Sequence, residues 1–225
     1  MSPLVNSYDK HSGLEAPAAL EAPAALEAPA AYVVPLGISA GLPIPGHANC
    51  YLAVVREGQY WLVDCADSPI DRLLRADLDP LAVRGVIITH FHPDHVYGLP
   101  AFLMGLFLFG MRQGRPRQDP LRIFARPEVL ERVSTMISLY ETQKWQGMFP
   151  IEYHEIAPEM RAPVACDDEM NAPERLFEIT AAPTRHSVPS LALRFALATD
   201  ATPPTTAGAA ADAIPPTTAG AAADA

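Results

Sequence analysis

VIITHFHPDH, residues 86–95, is the stretch of this chain that decides its fold. The run Val86 to Thr89 shows no alternation of polar and apolar side chains, which is typical of a strand buried on both faces of a sheet. In extended chain, side chains two residues apart point the same way. His90 and His92 are therefore expected to converge where the chain leaves the sheet.

Asp94 and His95 follow at once and add a carboxylate and a third imidazole. Three histidines and one aspartate this close together form two adjacent donor sets that suit zinc, manganese or iron. A metal ion bound there lowers the pKa of water and polarises an ester or phosphoryl oxygen. The pattern predicts hydrolysis by metal-activated water; a chance cluster of surface or core histidines is the alternative.

The segment THFHPDHVYGLP, residues 89–100, with Asp64 at the end of the preceding strand, resembles the metallo-β-lactamase superfamily. Within that superfamily, LGISAGLPIPGHANCYL at 36–52 and TRHSVPSLALRF at 184–195 resemble the ribonuclease Z branch. The resemblance covers nearly all of residues 33–197. It implies an α/β fold, the αββα metallo-β-lactamase sandwich, with its second half incomplete in this chain.

The resemblance also implies roles for individual residues. It places three imidazoles on one metal ion, those of His90, His92 and His186. It places Asp94 and His95 on a second ion, makes Asp94 the general base, and makes Asp64 the group that orients a metal ligand from behind. The family pattern continues with a bridging aspartate and a final histidine, and this sequence has neither. We therefore expect at most one tightly held metal ion.

Three functions remain open at this point. The leading hypothesis is a metal-dependent hydrolase, a phosphodiesterase or a ribonuclease Z-like endoribonuclease, whose substrate is an RNA or small-molecule phosphodiester. The first alternative is a truncated or catalytically inactive protein of the same fold that binds metal or a partner. The second is an esterase- or sulfatase-type hydrolase with the same ligands. The expected cofactor is zinc, two ions in the family, with manganese or iron as the other choices.

Composition sets the domain limits. Residues 14–31 repeat LEAPAA three times, and the C-terminus repeats PPTTAGAAADA, so residues 1–32 and 200–225 are predicted to be low-complexity disordered tails around a domain at 33–199. The chain has a net charge of −10. No Lys or Arg lies between residues 195 and 225, which weakens the prediction of a tRNA substrate because cations supply affinity for phosphates.

The remaining features favour a cytoplasmic protein that does not act at a membrane, and a homodimer is a possible assembly. The N-terminus lacks the pattern of a secretory signal. The apolar run Leu99–Met111 is too short to span a bilayer and indicates a buried core helix. Cys50, Cys65 and Cys166 show no framework spacing and are predicted to be buried thiols in a reducing compartment. His11, His47 and His154 lack the context of a metal ligand.

Periodicity predicts the order of elements. Strands are expected at 33–38, 50–56, 60–64, 86–89, 121–125, 151–156, 176–181 and 191–197. Helices are expected at 68–78, 98–110 and 127–139. The first helix should begin with Ser68 as its N-cap and should carry an apolar stripe of Ile70, Leu73, Leu74 and Leu78. The order runs from strands to alternating strands and helices and then back to strands. This order predicts a mixed sheet covered by helices.

Overall fold

A computed structural model describes residues 31–157, 162–164 and 177–197 of the 225-residue chain. The predicted disordered tails lie outside the described residues, except for Ala31 and Tyr32, and Tyr32 already belongs to the first strand. Cys166 and His11 also lie outside them.

Strands and helices follow in the predicted order. The strands are β1 Tyr32–Gly37, β2 Tyr51–Arg56, β3 Gln59–Val63, β4 Val83–Ile87, β5 Leu121–Ala125, β6 Ile151–Glu155, β7 Ala162–Val164, β8 Phe177–Thr184 and β9 Ser190–Leu197. The α-helices are α1 Pro69–Arg75, α2 Pro93–Val96, α3 Leu99–Arg112 and α4 Pro127–Ser138. Short 3₁₀ turns lie at Pro80–Ala82 and Thr142–Lys144.

The strands form two sheets. The larger has the order β1-β2-β3-β4-β5-β6; β1 to β3 are antiparallel neighbours, whereas β3 to β6 run parallel. Parallel neighbours need a long crossover between them, and helices α1, α3 and α4 lie within these connections. The smaller sheet, β7-β8-β9, is antiparallel. The carboxyl ends of β3 and β4 thus meet at one edge, where the histidine-rich segment begins.

The strands expected at 50–56 and 60–64 form a hairpin, and Gln59 belongs to β3 rather than to the turn. Arg56 pairs with Gln59, so the turn consists of Glu57 and Gly58 alone. Both have positive φ, 53° and 74°. That is the backbone of the type I′ turn, whose twist matches the twist of the flanking strands.

Two apolar cores cover the two faces of the larger sheet. The first lies under the helices and contains Phe102, Leu103, Leu106, Val133 and Ile137, together with strand residues. The second lies between the sheets and contains Trp61, Ile87, Phe124, Phe177 and Ile179. The described residues therefore form three layers, helices, mixed sheet and second sheet. This is the αββ part of the expected sandwich, and no second helix layer occurs within them.

Helix α1 corrects part of the predicted pattern. It ends at Arg75 rather than Leu78, and Ser68 takes the N-cap position without a side-chain hydrogen bond to the helix. Leu73 is fully buried, but Leu74 is 46% exposed, so Leu74 does not belong to the apolar stripe. Because the helix is short, only the side chains facing α3 reach the core.

Two further predictions need correction. Cys65 is buried, but Cys50 is exposed because it precedes β2 in a loop, so Cys50 is not a buried thiol. Strand β4 begins three residues before the predicted start and ends at Ile87.

The helical stretch Pro93–Arg112 is long and apolar enough to cross a membrane, although the core helix of a globular protein passes the same test. Phe102, Leu103 and Leu106 of this stretch are buried in the core under the sheet.

Candidate metal site

Asp64 and Thr89 join the ends of β3 and β4. Asp64 follows β3 with a positive φ of 63°, a conformation that aspartate tolerates better than most residues. Its backbone N–H donates to the Ile87 carbonyl at 2.8 Å. Its carboxylate accepts from the Thr89 backbone N–H at 2.7 Å and from the Thr89 hydroxyl at 2.8 and 3.0 Å. This buried carboxylate therefore anchors the start of the histidine-rich segment.

Three imidazoles converge just beyond this anchor, and we call them the three-histidine group: His90, His92 and His186. Their candidate ligand nitrogens all lie within 4.8 Å of one another. His92 Nδ1 is 3.1 Å from His90 Nε2 and 3.3 Å from His186 Nε2. For ligands about 2.0–2.1 Å from a tetrahedral zinc ion, neighbouring nitrogens would be about 3.3 Å apart. The spacing therefore fits a shared metal ion.

His186 reaches the group from the second sheet. It lies between β8 and β9, which are joined by the residues 185–189. The Leu191 N–H donates to the Thr89 carbonyl at 3.1 Å, which holds the start of β9 against the histidine-rich segment. His90 is buried, His92 is partly buried and His186 is exposed. The group thus opens to solvent on the His186 side.

Asp94 and His95 form the second donor set, which we call the Asp94–His95 pair. His95 Nδ1 donates to Asp64 Oδ2 at 2.6 Å, so the other ring nitrogen of His95 is free to act as a ligand. That nitrogen, Nε2, lies 3.5 Å from Asp94 Oδ2. The ring centroids of His90 and His95 are 4.0 Å apart, so the pair and the three-histidine group are neighbours. Within the described residues the pair has no third donor of its own.

The two groups shift histidine pKa values in opposite directions. Burial lowers the pKa of His90 to about 4, and the neighbouring His95, His186 and His92 act in the same sense. Burial also lowers the pKa of His95, but the hydrogen bond and the charge of Asp64 outweigh it, so the net pKa is raised. A neutral His90 keeps a lone pair for a metal ion, whereas His95 is polarised by its carboxylate partner.

Backbone contacts hold the Asp94–His95 pair against the end of β3. The Cys65 N–H donates to the His95 carbonyl at 2.8 Å, and the Gly98 N–H donates to the Cys65 carbonyl at 3.0 Å. A Cβ at Gly98 would lie 2.7 Å from the Ala66 backbone and 2.8 Å from the Asp67 oxygen. Glycine is required at this position because the two backbones approach so closely.

The loop between β1 and β2 borders the same site. A Cβ placed on Gly41 would lie 3.4 Å from Asp94 Oδ2. Asn49 anchors the loop, since its amide donates to the Ala40 carbonyl at 2.6 Å and its oxygen accepts from the Tyr97 hydroxyl at 3.2 Å. The loop also presents exposed Ile38, Leu42 and Ile44. The loop that borders Asp94 therefore carries exposed apolar side chains.

Among the described residues, the other two histidines, His47 and His154, do not belong to the three-histidine group. His47 is exposed in the β1–β2 loop, and His154 lies on β6 with its ring stacked on Phe124 at 4.6 Å. Thr89 and Gly98 are not among the site residues predicted from the sequence. The signal for Thr89 was its position between a buried strand and the first histidine, and the signal for Gly98 was a glycine directly ahead of an apolar helix.

The three-histidine group offers donor atoms of the type and spacing that a metal ion accepts. His92 Nδ1 lies at hydrogen-bond distance from both His90 Nε2 and His186 Nε2, and a neutral ring nitrogen offers either one hydrogen or one lone pair to these two neighbours. A divalent cation among them would take one lone pair from each ring, and three imidazoles are donors that zinc accepts. These residues could hold one metal ion.

The structure combines a mixed sheet, a second sheet and a histidine cluster at the strand ends, and known proteins share these features of sequence and fold. Residues 43–103 match the family model of the metallo-β-lactamase superfamily. The fold is similar to human tRNase Z, short form, with a TM-score of 0.56 and 23% identity over 73% of this chain and 64% of that one. The chain has the metallo-β-lactamase fold, and its residues 43–103 are similar in sequence to that superfamily.

The curated relatives it matches point to one branch. The chain is similar to ribonuclease Z of Synechococcus sp., with 33% identity over 71% of this chain and 47% of the relative. It is similar to ribonuclease Z of Methanococcus maripaludis, with 28% identity over 71% of this chain and 47% of the relative. A diphosphatase of the PhnP family also shares the fold, with a TM-score of 0.54 and 19% identity over 73% of this chain and 61% of that one. The chain spans about half the length of the ribonuclease Z proteins it matches.

Proposed function

We propose that this protein is a metal-dependent hydrolase that cleaves phosphodiesters with metal-activated water. The observation that carries the proposal is the convergence of His90 Nε2, His92 Nδ1 and His186 Nε2 within 4.8 Å, next to the Asp94–His95 pair. Three imidazoles leave one position of a tetrahedral site free, which is the arrangement of catalytic rather than structural zinc.

Each side chain has a distinct task in this proposal. The three-histidine group holds the metal ion, preferably zinc, with manganese or iron as alternatives. When bound, that ion would act as a Lewis acid and lower the pKa of water toward neutrality. Asp94, partly buried beside the group, accepts the proton of the attacking water. Asp64 holds His95 by the 2.6 Å hydrogen bond and fixes its orientation.

The proposed substrate is a phosphodiester in RNA or in a smaller molecule. The names of the curated relatives, ribonuclease Z, support RNA. The apolar β1–β2 loop beside Asp94 suits a base or another uncharged group better than additional phosphates, because it carries exposed Ile38, Leu42 and Ile44. A homodimer and a cytoplasmic location remain predictions.

The test is hydrolysis by the purified chain loaded with zinc or manganese. Bis-p-nitrophenyl phosphate, p-nitrophenyl acetate and p-nitrophenyl sulfate would be compared with a precursor tRNA. We expect cleavage of the phosphodiester or the RNA, and we expect His92→Ala to abolish it because that substitution removes a central donor of the three-histidine group.

His154→Gln is the matched control, since it changes a histidine on β6 that is stacked on Phe124 and belongs to neither donor set. Turnover that survives His92→Ala would contradict the assigned site. Turnover of the acetate or sulfate alone would replace the phosphodiester with another ester. No turnover, combined with tight zinc binding, would favour the inactive metal-binding alternative.

A further inference from the structure

The Thr89 hydroxyl lies between a carboxylate and a candidate metal ligand. Its oxygen is 2.8 Å from Asp64 Oδ2, 3.0 Å from Asp64 Oδ1 and 2.9 Å from His90 Nδ1. Thr89 is only partly buried, but Asp64 and His90 on either side of it are both buried. Each polar atom here therefore needs a partner within the protein.

The number of hydrogens decides the direction of these bonds. A threonine hydroxyl has one hydrogen to donate, and a carboxylate only accepts. The hydrogen therefore belongs to the Thr89–Asp64 bond, because the charged oxygen is the stronger acceptor. The remaining lone pairs of the Thr89 oxygen then accept the hydrogen of His90 Nδ1. This arrangement leaves His90 Nε2 without a hydrogen, and Nε2 is the atom that faces His92 and His186.

Asp64 also contacts an imidazole of the Asp94–His95 pair, and this contact is direct. His95 Nδ1 donates to Asp64 Oδ2 at 2.6 Å, and His95 Nε2 faces Asp94. One buried carboxylate thus reaches one imidazole of each donor set, directly for His95 and through the Thr89 hydroxyl for His90. The positive φ of Asp64 is retained in spite of its conformational cost, as expected where surrounding contacts determine the backbone.

We infer that Thr89 is a positioning residue whose hydroxyl couples Asp64 to His90, so that a single carboxylate orients ligands in both donor sets. This inference rests on the proposed metal site and adds to it. Hydrogen-bond partners behind metal ligands fix the ring nitrogen that carries the hydrogen and hold the ring in place, and their loss commonly weakens metal binding about 10–100-fold.

The first test is a long-range ¹H–¹⁵N spectrum of the histidine rings in the full chain treated with chelator. We expect His90 to carry its hydrogen on Nδ1 in the original protein and in Thr89→Ser, and to become a mixture of both forms in Thr89→Val. A His90 that carries its hydrogen on Nε2 in the original protein would overturn the inference, whatever the variants do.

The second test is zinc titration by chelator competition. Thr89→Val should bind zinc about 10–100-fold more weakly, and Thr89→Ser should restore the affinity to within about threefold. Thr135→Val is the matched control, since the Thr135 hydroxyl bonds only the Glu131 carbonyl on the exposed side of α4, and it should leave the affinity unchanged. An unchanged affinity in Thr89→Val would overturn the inference. Hydrolysis is not measured, so loss of the proposed activity would be recognised separately.

Discussion

The three-histidine group and the Asp94–His95 pair lie side by side but are built in different ways. The group joins His186 to a histidine 94 positions earlier and depends on the second sheet being in place. The pair consists of neighbours in the chain, held to Asp64 by a 2.6 Å hydrogen bond and by backbone contacts around Cys65 and Gly98. One depends on tertiary packing and the other on local structure.

The comparison shows that the number of metal donors in a set and the contacts that hold those donors in place are separate properties. The three-histidine group has enough donors for a metal ion but relies on a loop that is exposed at His186. The Asp94–His95 pair is well anchored but has two donors among the described residues. We therefore expect one ion to bind tightly at the group, and the pair to contribute mainly a base and a weaker second site.

The largest expected effects on hydrolysis and zinc affinity come from substitutions that change one donor set at a time. Asp94→Asn should lower hydrolysis about 10²–10⁴-fold, as loss of a general base does, while zinc affinity at the three-histidine group stays within about threefold. Loss of a hydrogen-bond partner behind a metal ligand weakens metal binding about 10–100-fold. His186→Ala removes a ligand itself, so it should weaken zinc binding by more than that. Both values are measured by chelator competition and by the rate with bis-p-nitrophenyl phosphate. Equal zinc loss in the two variants would contradict the separation.

A smaller effect is expected at the backbone contact behind the pair. Gly98→Ala places a Cβ 2.7 Å from the Ala66 backbone, which cannot rotate away, so the free energy of unfolding should fall by about 1–3 kcal/mol. Urea denaturation measures it. Gly105→Ala is the control: its Cβ meets only the Ile70 side chain, at 2.5 Å, and alanine favours a helix. An equal loss in both would show that the contact at Gly98 has no special role.

The smallest effect is the pH dependence of the metal-free protein. His90 has a pKa of about 4 when folded, so the unfolded chain binds more protons between pH 4 and 6.5, and stability falls as the pH is lowered through that window. Between pH 7 and 5 this loss is up to about 2 kcal/mol. His95 has a raised pKa, so its contribution is greatest at low pH, is lost as the pH rises, and offsets part of the change.

Unfolding with chelator at pH 5 and pH 7 measures this balance. His90→Gln should remove the acid sensitivity, and His95→Gln should increase it. Stability that rises on acidification in the original protein would contradict the assignment of His90 as a buried neutral ring.

Sequence patterns predicted much of the fold because the elements are strongly periodic. The predicted strand at 121–125 has the observed bounds of β5, and the strands expected at 50–56 and 60–64 pair with each other as β2 and β3. Where the predicted burial or strand positions differ from the structure, packing against a neighbouring element is the reason. Leu74 is exposed because α1 is short and faces α3 with only one side, and β7 is a three-residue strand whose partner is β8.

By itself the sequence determined the superfamily resemblance, the order of elements and the chemistry of His90, His92, Asp94 and His95, because those donors follow one buried strand within six residues. Only the tertiary structure decided that His186 meets them, since that contact requires the second sheet to pack on the first. Only the tertiary structure also placed the Thr89 hydroxyl between Asp64 and His90. Hydrogen-bond partners 25 residues apart are chosen by strand register, which no local pattern encodes.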